Sequence, residues 1–209
     1  MIKLREAEVS RKTKETDIRV NVQLEGNGNI KADTSIKFLD HIITSFATHS
    51  LIDIQIEATG DLIHHTAEDV ALALGEAINK ALGDRKGIKR FGFAMVPMDD
   101  ALSYSAIDLV KNLEDAAAYS AVDLVKRPFQ VADLKIDKEG IEDMAAEDIY
   151  HFIQSFSQSL QANIHVIVKY GNNDHHKVES AIKSIALAIR DAISLDSNRD
   201  RTPSSKGMM

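Results

Sequence analysis

The sequence predicts an α+β fold of two pseudo-equivalent halves, each a β-sheet covered by α-helices, packed together as one domain. Three observations predict it. Strand-like alternation and helical periodicity follow one another in the same order in both halves. A strand, a glycine turn, a histidine pair and a helix recur as one unit at an offset of 111 positions. The 209 residues, 44% of them hydrophobic, suffice for one substantial core or two small fused ones.

In the first half, the alternation TDIRVNVQL (16–24) reads as a half-buried strand that stops at Gly26, Asn27 and Gly28. A short strand at 30–32 is expected to pair with it. Residues 37–49 place Phe38, Ile42, Ile43 and Phe46 at helical spacing, and a strand at 51–58 leads to a turn at Gly60. A long helix then runs from about Thr66 to Leu82, its apolar face carried by Val70, Leu74, Ala77 and Ile78, and Gly83 is placed to stop it. The second half replays this order. Strand-like segments fall between 91 and 135, a helix at about 142–160, a strand at 164–170, a turn at Gly171 and a helix at about 177–193. This divides the chain into half-repeats 1–86 and 87–195, with 196–209 a polar tail expected to be flexible.

The 111-residue offset aligns Gly60 with Gly171, His64 with His175, His65 with His176 and Glu68 with Glu179. After a one-residue slip, HIITSF (41–46) aligns with HFIQSF (151–156), pairing His41 with His151. A second repeat is local: ALSYSAIDLVK (101–111) returns as AAAYSAVDLVK (116–126), offset by 15 and identical at eight of eleven positions. An odd offset would turn matching side chains to opposite faces of a continuous strand. The copies are therefore expected to form a hairpin, or one copy holds the ladder while the other is extruded.

The net charge of −7 argues against a general nucleic-acid or anionic-membrane surface, so an anion must be bound by local charge. The charged N-terminus lacks the apolar run of a signal peptide and no stretch is long enough for a membrane span, which makes a cytoplasmic location the expectation. With no cysteine, any metal must be held by His and carboxylate.

HHxxE occurs twice, as His64, His65 and Glu68 and as His175, His176 and Glu179, each at the junction of a glycine turn and a helix. One copy alone is as readily a helix start with a first-turn Glu favoured by the helix dipole. Two copies at matched positions, with His41 and His151 also matched, point to metal. If the helix includes the first His, residues four apart share a face, so His64 and Glu68 reach one ion while His65 points about 100° away. One motif can thus serve two metals. Nitrogen and oxygen ligands fit Mn, Fe, Co, Ni or Zn without choosing among them.

At these residues the chain resembles the imidazoleglycerol-phosphate dehydratase family, and the other signatures follow in order over nearly the whole length: KETDI (14–18), FLDHI (38–42) with His49, GDLIHHTAED (60–69), RFG (90–92), PMDDA (97–101), RPF (127–129), HFIQSF, IHV (164–166), GNNDHHKVE (171–179) and PSSKG (203–207). The short GDLIHH turn is similar to that of archaeal members. The resemblance implies a ribosomal protein S5 domain 2-like fold and two Mn²⁺ ions per site, held by His41, His64, His65, Glu68, His151, His175, His176 and Glu179. It implies catalytic or substrate contacts from Glu15, Asp99 and His49, and a phosphate subsite of Arg90, Arg127, Ser204, Ser205 and Lys206. His165, whose repeat partner is Ile54, is left as a strand histidine near the site. The assembly implied is a homo-oligomer of 24 subunits built from trimers.

The reaction implied is loss of water from imidazole-glycerol 3-phosphate to give imidazole-acetol phosphate in histidine biosynthesis, with the substrate imidazolate bridging two Mn²⁺ ions. The substrate's imidazole is the only nearby electron sink, and two cations offset the charge as a carbon-bound proton leaves. Loss of hydroxide would pass through a diazafulvene-like intermediate. Glu15 is the first choice for proton transfer and Asp99 the second. A binuclear metallohydrolase, or a metal-binding protein without turnover, are the alternative readings. The tandem duplication lies between PMDDA and RPF. Asp99 and Arg127 are expected to keep their roles with the excess extruded, although the second copy offers Glu114 and Asp115 in place of Asp99 and Asp100.

Overall fold

The computed structural model describes residues 4–109 and 129–204. In the first half, strands β1 (Glu6–Lys12), β2 (Thr16–Gln23) and β3 (Ile30–Asp33) precede helix α1 (Lys37–Ser50), strand β4 (Asp53–Gly60) and helix α2 (Ile63–Leu82). The second half has β5 (Phe91–Met98), β6 (Ala101–Leu109) and β7 (Gln130–Asp133). A small hairpin of β8 (Gly140–Ile141) and β9 (Met144–Ala145) follows, then α3 (Ala146–Leu160), β10 (Ala162–Tyr170) and α4 (Asp174–Ile193). The sheets run β1-β2-β4-β3 and β5-β6-β10-β7, so the two halves share one topology.

Two expectations about strands are corrected. β1 was not foreseen, because its exposed face is charged and only Val9 is buried. The short strand β3 pairs with β4 in parallel, Ile30 opposite Ile54, and not with β2, since β2 already has β1 on one side and β4 on the other. Helix α3 begins at Ala146, four residues later than expected, because Asp143 in the preceding hairpin turn is used elsewhere. Its carboxylate accepts from the amides of Lys37 at 2.6 Å and Phe38 at 2.9 Å, capping α1 of the other half. The start of α1 thus depends on the second half.

The helices pack across the halves, α2 on α3 and α1 on α4, and the buried side chains of both sheets form one apolar cluster. At Gly75 in α2 a Cβ would come within 2.7 Å of the Phe156 carbonyl, so α2 and α3 touch backbone to backbone. Arg85, fully buried, donates to the carbonyls of Leu160 at 2.7 Å and Gln161 at 3.0 Å and to Asn79 at 2.8 Å. It ties the end of α2 to the end of α3. Burial pushes its pKa down to about 10, with the Asp108 charge opposing, and it stays charged at neutral pH.

Within the described part of the tail, residues 196–204, main-chain hydrogen bonds join it to the body of the second half. Asp196 N donates to Gly87 O at 2.8 Å, Gly87 N to Arg201 O at 3.2 Å, and Arg90 Nη1 to Pro203 O at 3.0 Å. A polar composition concealed these main-chain contacts.

The first copy of the tandem repeat forms β6, between β5 and β10. The second copy, with Glu114 and Asp115, lies outside the described residues. First-copy side chains fit this strand better. Ser103 exchanges a hydrogen bond with Ser180, where the second copy has Ala118, and buried Ile107 corresponds to Val122. Losing that bond costs about 1 kcal/mol and Ile→Val about another 1. β6 and β7 flank β10 on opposite sides, a separation of about 10 Å. Twenty residues, 110–129, join β6 to β7, whereas six, 24–29, join β2 to β3. Deleting residues 112–126 leaves five, close to the first half's six. The deletion variant is expected to fold with Tm within about 4 °C of the parent, which is ~1 kcal/mol for a chain of this size. A larger loss in a thermal melt would show that the extra residues support the sheet.

Candidate active site

Because α2 begins at Ile63 and α4 at Asp174, both histidine pairs lie in the first helical turn, a few residues earlier than the periodicity placed the helix starts. The i,i+4 geometry sets His64 Nε2 3.9 Å from Glu68 Oε2 and His175 Nε2 3.6 Å from Glu179 Oε2. The third residue of each group comes from the other half. His41 on α1 brings Nε2 to 3.5 Å from Glu179, and its ring lies 5.2 Å from that of His175. His151 on α3 stacks edge-on to His64, also at 5.2 Å. The eight expected ligands therefore do not meet at one point within the chain. Six of them fall into two clusters, His41, His175 and Glu179 on α1 and α4, and His151, His64 and Glu68 on α3 and α2, with His65 and His176 in neither. In the first, the three donor atoms lie within 4.8 Å of one another. Metal bonds of about 2.1 Å require donors roughly 3.0–3.5 Å apart, so small side-chain movements would complete it.

Each histidine of the two motifs has its Nδ1 facing a carboxylate: Asp148 for His64 at 2.7 Å, Asp61 for His65 at 2.8 Å, Glu142 for His175 at 3.3 Å and Asp100 for His176 at 2.6 Å. A carboxylate at Nδ1 fixes the tautomer with Nε2 unprotonated, the form a metal needs. These four acids were not singled out in the sequence. Asp148 stands three residues before His151 and Asp61 four before His65, both on the motif face of their segment, and Asp100 lies inside PMDDA; Glu142 gives no local signal.

The electrostatics follow from these contacts. The hydrogen bond that His65 donates to Asp61 raises the pKa of His65, with the Glu15 charge assisting against burial. His176 and the amides of Asn172 and Asn173 hold Asp100 well below the usual carboxylate range. For Glu179 burial favours the neutral acid, but Lys183, 2.9 Å away, and His41 outweigh it and lower its pKa. His49, two turns beyond His41, is lowered by burial and by Lys183, with Glu179 opposing. The clusters are related but unequal: Phe38 occupies the repeat position of Asp148, and Leu72 that of Lys183.

Glu15 and Asp99 sit at equivalent turns, between β1 and β2 and between β5 and β6. Glu15 Oε2 is 3.8 Å from His65 Nδ1, and Asp99 Oδ2 is 3.4 Å from His176 Nε2. Arg90 is placed differently. It makes a bidentate pair with Asp108 at 2.6 and 3.1 Å and lies at the far end of β5, roughly 25–30 Å along the strand from Asp99. Ser204 lies beside Pro203 at the same end. Arg127, Ser205 and Lys206 lie outside the described residues. His165 is exposed on the outward face of β10, opposite Ala106 and Val131, and joins neither cluster.

Known proteins resemble the chain over its full length. The family model described as Imidazoleglycerol-phosphate dehydratase matches residues 34–114 and 109–189, two segments that meet at the tandem duplication. The imidazoleglycerol-phosphate dehydratase of Methanothermobacter thermautotrophicus is 44% identical over 212 residues, covering 100% of both chains. That of Chloroherpeton thalassium is 42% identical over 208 residues, covering 98% of each. Among solved structures, IGPD from Pyrococcus furiosus in complex with (S)-C348 superposes with a TM-score of 0.78 at 33% identity, over 96% of this chain and 100% of that one. The enzyme from Staphylococcus aureus, at 22% identity and a TM-score of 0.77, covers 91% of this chain and 99% of its own, and shows the shared fold. With paired histidine clusters at matched positions and this breadth of likeness, the chain belongs to the imidazoleglycerol-phosphate dehydratase family.

Proposed function

We propose that the chain dehydrates D-erythro-imidazole-glycerol 3-phosphate to imidazole-acetol phosphate and water in L-histidine biosynthesis, in the cytoplasm, with the substrate imidazole held between two Mn²⁺ ions. The observation that carries this reading is the pair of clusters, each of two imidazoles and one carboxylate, in which an acid on the Nδ1 of His64 and of His175 leaves Nε2 for metal. His41, His175 and Glu179 would hold one ion and His151, His64 and Glu68 the other. Bound there, the ions would supply positive charge to offset the negative charge developing on the imidazole as the carbon-bound proton leaves. His65 and His176 belong to neither cluster and would complete clusters on neighbouring copies. Arg90, with Ser204 beside it, is too far from its own Asp99 to share one small substrate with it. Both facts support a homo-oligomer with sites between copies, which the family resemblance puts at 24 subunits built from trimers. The phosphate subsite would combine Arg90 and Ser204 with Arg127, Ser205 and Lys206.

Glu15 is the proton-transfer residue in this scheme. Asp61 already satisfies His65 Nδ1, leaving the Glu15 carboxylate, 56% exposed, available to a substrate. Asp99 faces the Nε2 of His176, the nitrogen a metal would take, and is better placed to orient that ring. His49 would contact the substrate beside Lys183.

Three measurements test the scheme. Imidazole-acetol phosphate should form from imidazoleglycerol phosphate with Mn²⁺, stop on chelation, and be absent in His64→Ala and His175→Ala; hydrolysis of simple phosphate esters by the same protein would favour a metallohydrolase. Glu15→Gln should retain its metal content and lose roughly 10²–10⁴-fold in kcat, the range of a general acid or base. An equal loss in Asp99→Asn with Glu15→Gln unaffected would reverse the assignment. Asp148→Asn should weaken Mn²⁺ binding roughly 10–100-fold in calorimetry, as loss of a metal-ligand's carboxylate partner typically does.

A further inference from the structure

Asp69 follows the ligand Glu68 on α2 but belongs to neither cluster, and it is buried, at 8% exposure. One residue further along the helix turns it about 100° from Glu68, and there its carboxylate meets both legs of the β1–β2 turn. Oδ1 accepts from Arg11 Nε at 2.7 Å, and Oδ2 accepts from the Thr16 hydroxyl at 2.5 Å. With its proton committed to Asp69, Thr16 Oγ1 can only accept from Thr13 Oγ1, 3.1 Å away. Thr13 Oγ1 in turn accepts from the amides of Glu15 at 3.1 Å and Thr16 at 3.0 Å. The hydrogen bonds therefore run one way, from the Glu15 amide through two hydroxyls to a buried carboxylate, and each polarises the next.

The second half has no such chain among the described residues. Gly60 and Gly171 are repeat partners, and a Cβ on either would press on the strand start opposite. It would meet Thr16 Cγ2 at 3.1 Å in the first half and Ala101 Cβ at 3.0 Å in the second. Ala101 thus stands where Thr16 does, without a hydroxyl. Ser180 stands where Asp69 does and bonds to Ser103, further along β6, at 2.5 Å.

We propose that Asp69, Thr16 and Thr13 are positioning residues for Glu15, fixing the turn that carries it to the helix that carries His64, His65 and Glu68. Their bearing on catalysis rests on the reading of Glu15 as the proton-transfer residue. With its side chain 56% exposed, Glu15 is aimed chiefly by its backbone. The turn is held there by the hydroxyl chain and by two main-chain bonds, Thr13 N to Thr16 O at 2.9 Å and Asp61 N to Glu15 O at 3.0 Å. Asp69 and the metal ligands share the first turns of α2, so the chain registers Glu15 against those ligands. A buried carboxylate is a poor source of net stability, because desolvation offsets its attraction to a partner. Its contribution beside Glu15 is a fixed geometry, which the turn bearing Asp99 lacks in this form.

Thr16→Val tests this in the full chain loaded with Mn²⁺, since it removes the hydroxyl and keeps a β-branched residue at the strand start. It should lose roughly 10–100-fold in kcat, the scale of a misplaced catalytic group, with KM and bound Mn²⁺ unchanged. Thr16→Ser should restore the rate. Glu15→Gln with Thr16→Val should be no slower than Glu15→Gln alone, because a residue that acts through Glu15 then has nothing left to position. Hydrogen exchange across residues 13–16, followed by mass spectrometry, should quicken in Thr16→Val and not in Thr16→Ser. Parent-like kcat in Thr16→Val, the same loss repeated in the Glu15→Gln background, an equal loss in Thr16→Ser, or unchanged exchange each overturns the proposal. Should Thr16→Val not fold, Thr13→Ala breaks the same chain at the exposed turn and is read in the same way. If the parent forms no product, or Glu15→Gln turns over normally, the reading of Glu15 fails, and the exchange comparison alone decides whether the chain holds the turn.

Discussion

The packing of helices across the two halves is the constraint on which the rest of the molecule depends. Each HHxxE motif puts one His and one Glu on a helix face, and that pair becomes a three-donor cluster only when a helix from the other half lies against it. Backbone contact at Gly75 sets the approach of α2 to α3, and Arg85 fixes the ends of the same two helices with hydrogen bonds to carbonyls that no helix can satisfy internally. On the other side, Asp143 caps α1 from the second half. A separated half would keep its sheet pattern and lose both its cluster and part of its helix capping.

Duplication explains the economy of the site, and later divergence its inequality. The two clusters share a ligand plan because the helices that carry them are repeats of one another. Phe38 in place of Asp148, and Lys183 in place of Leu72, then give the α1–α4 cluster an aromatic wall and a cation where the α2–α3 cluster has a buried acid and an apolar neighbour. The same divergence separates the sheets. The outward face of the first is polar along β1, β2 and β4, whereas the edge strand β5 of the second exposes Phe91, Phe93 and Met95, although their strand order is the same.

The younger 15-residue repeat shows how a fold absorbs an insertion. The first of two nearly identical segments forms β6, where the Ser103 hydroxyl reaches Ser180 and Ile107 is buried, positions at which the second copy carries Ala118 and Val122. Asp99 and Asp100, adjoining the first copy, lie beside His176.

The helices, most of the strands and the internal repeat could be read from the sequence, because helical and strand periods and fixed motif spacings are local properties. β1 and β3 marked the limit. β1 has only one buried side chain to signal it, and the partner of β3 is decided by which sheet edge is still free. The acids that hold the histidine rings were largely illegible for a related reason, since Asp148 and Glu142 reach their partners across tens of residues of chain. Sequence by itself determined that two HHxxE motifs, with His41 and His151, stand at matched positions of a repeat. Only the tertiary structure decided that they form two clusters and that Arg90 stands away from both, because ligand grouping depends on which helix faces meet, and strand length fixes a distance that no motif records.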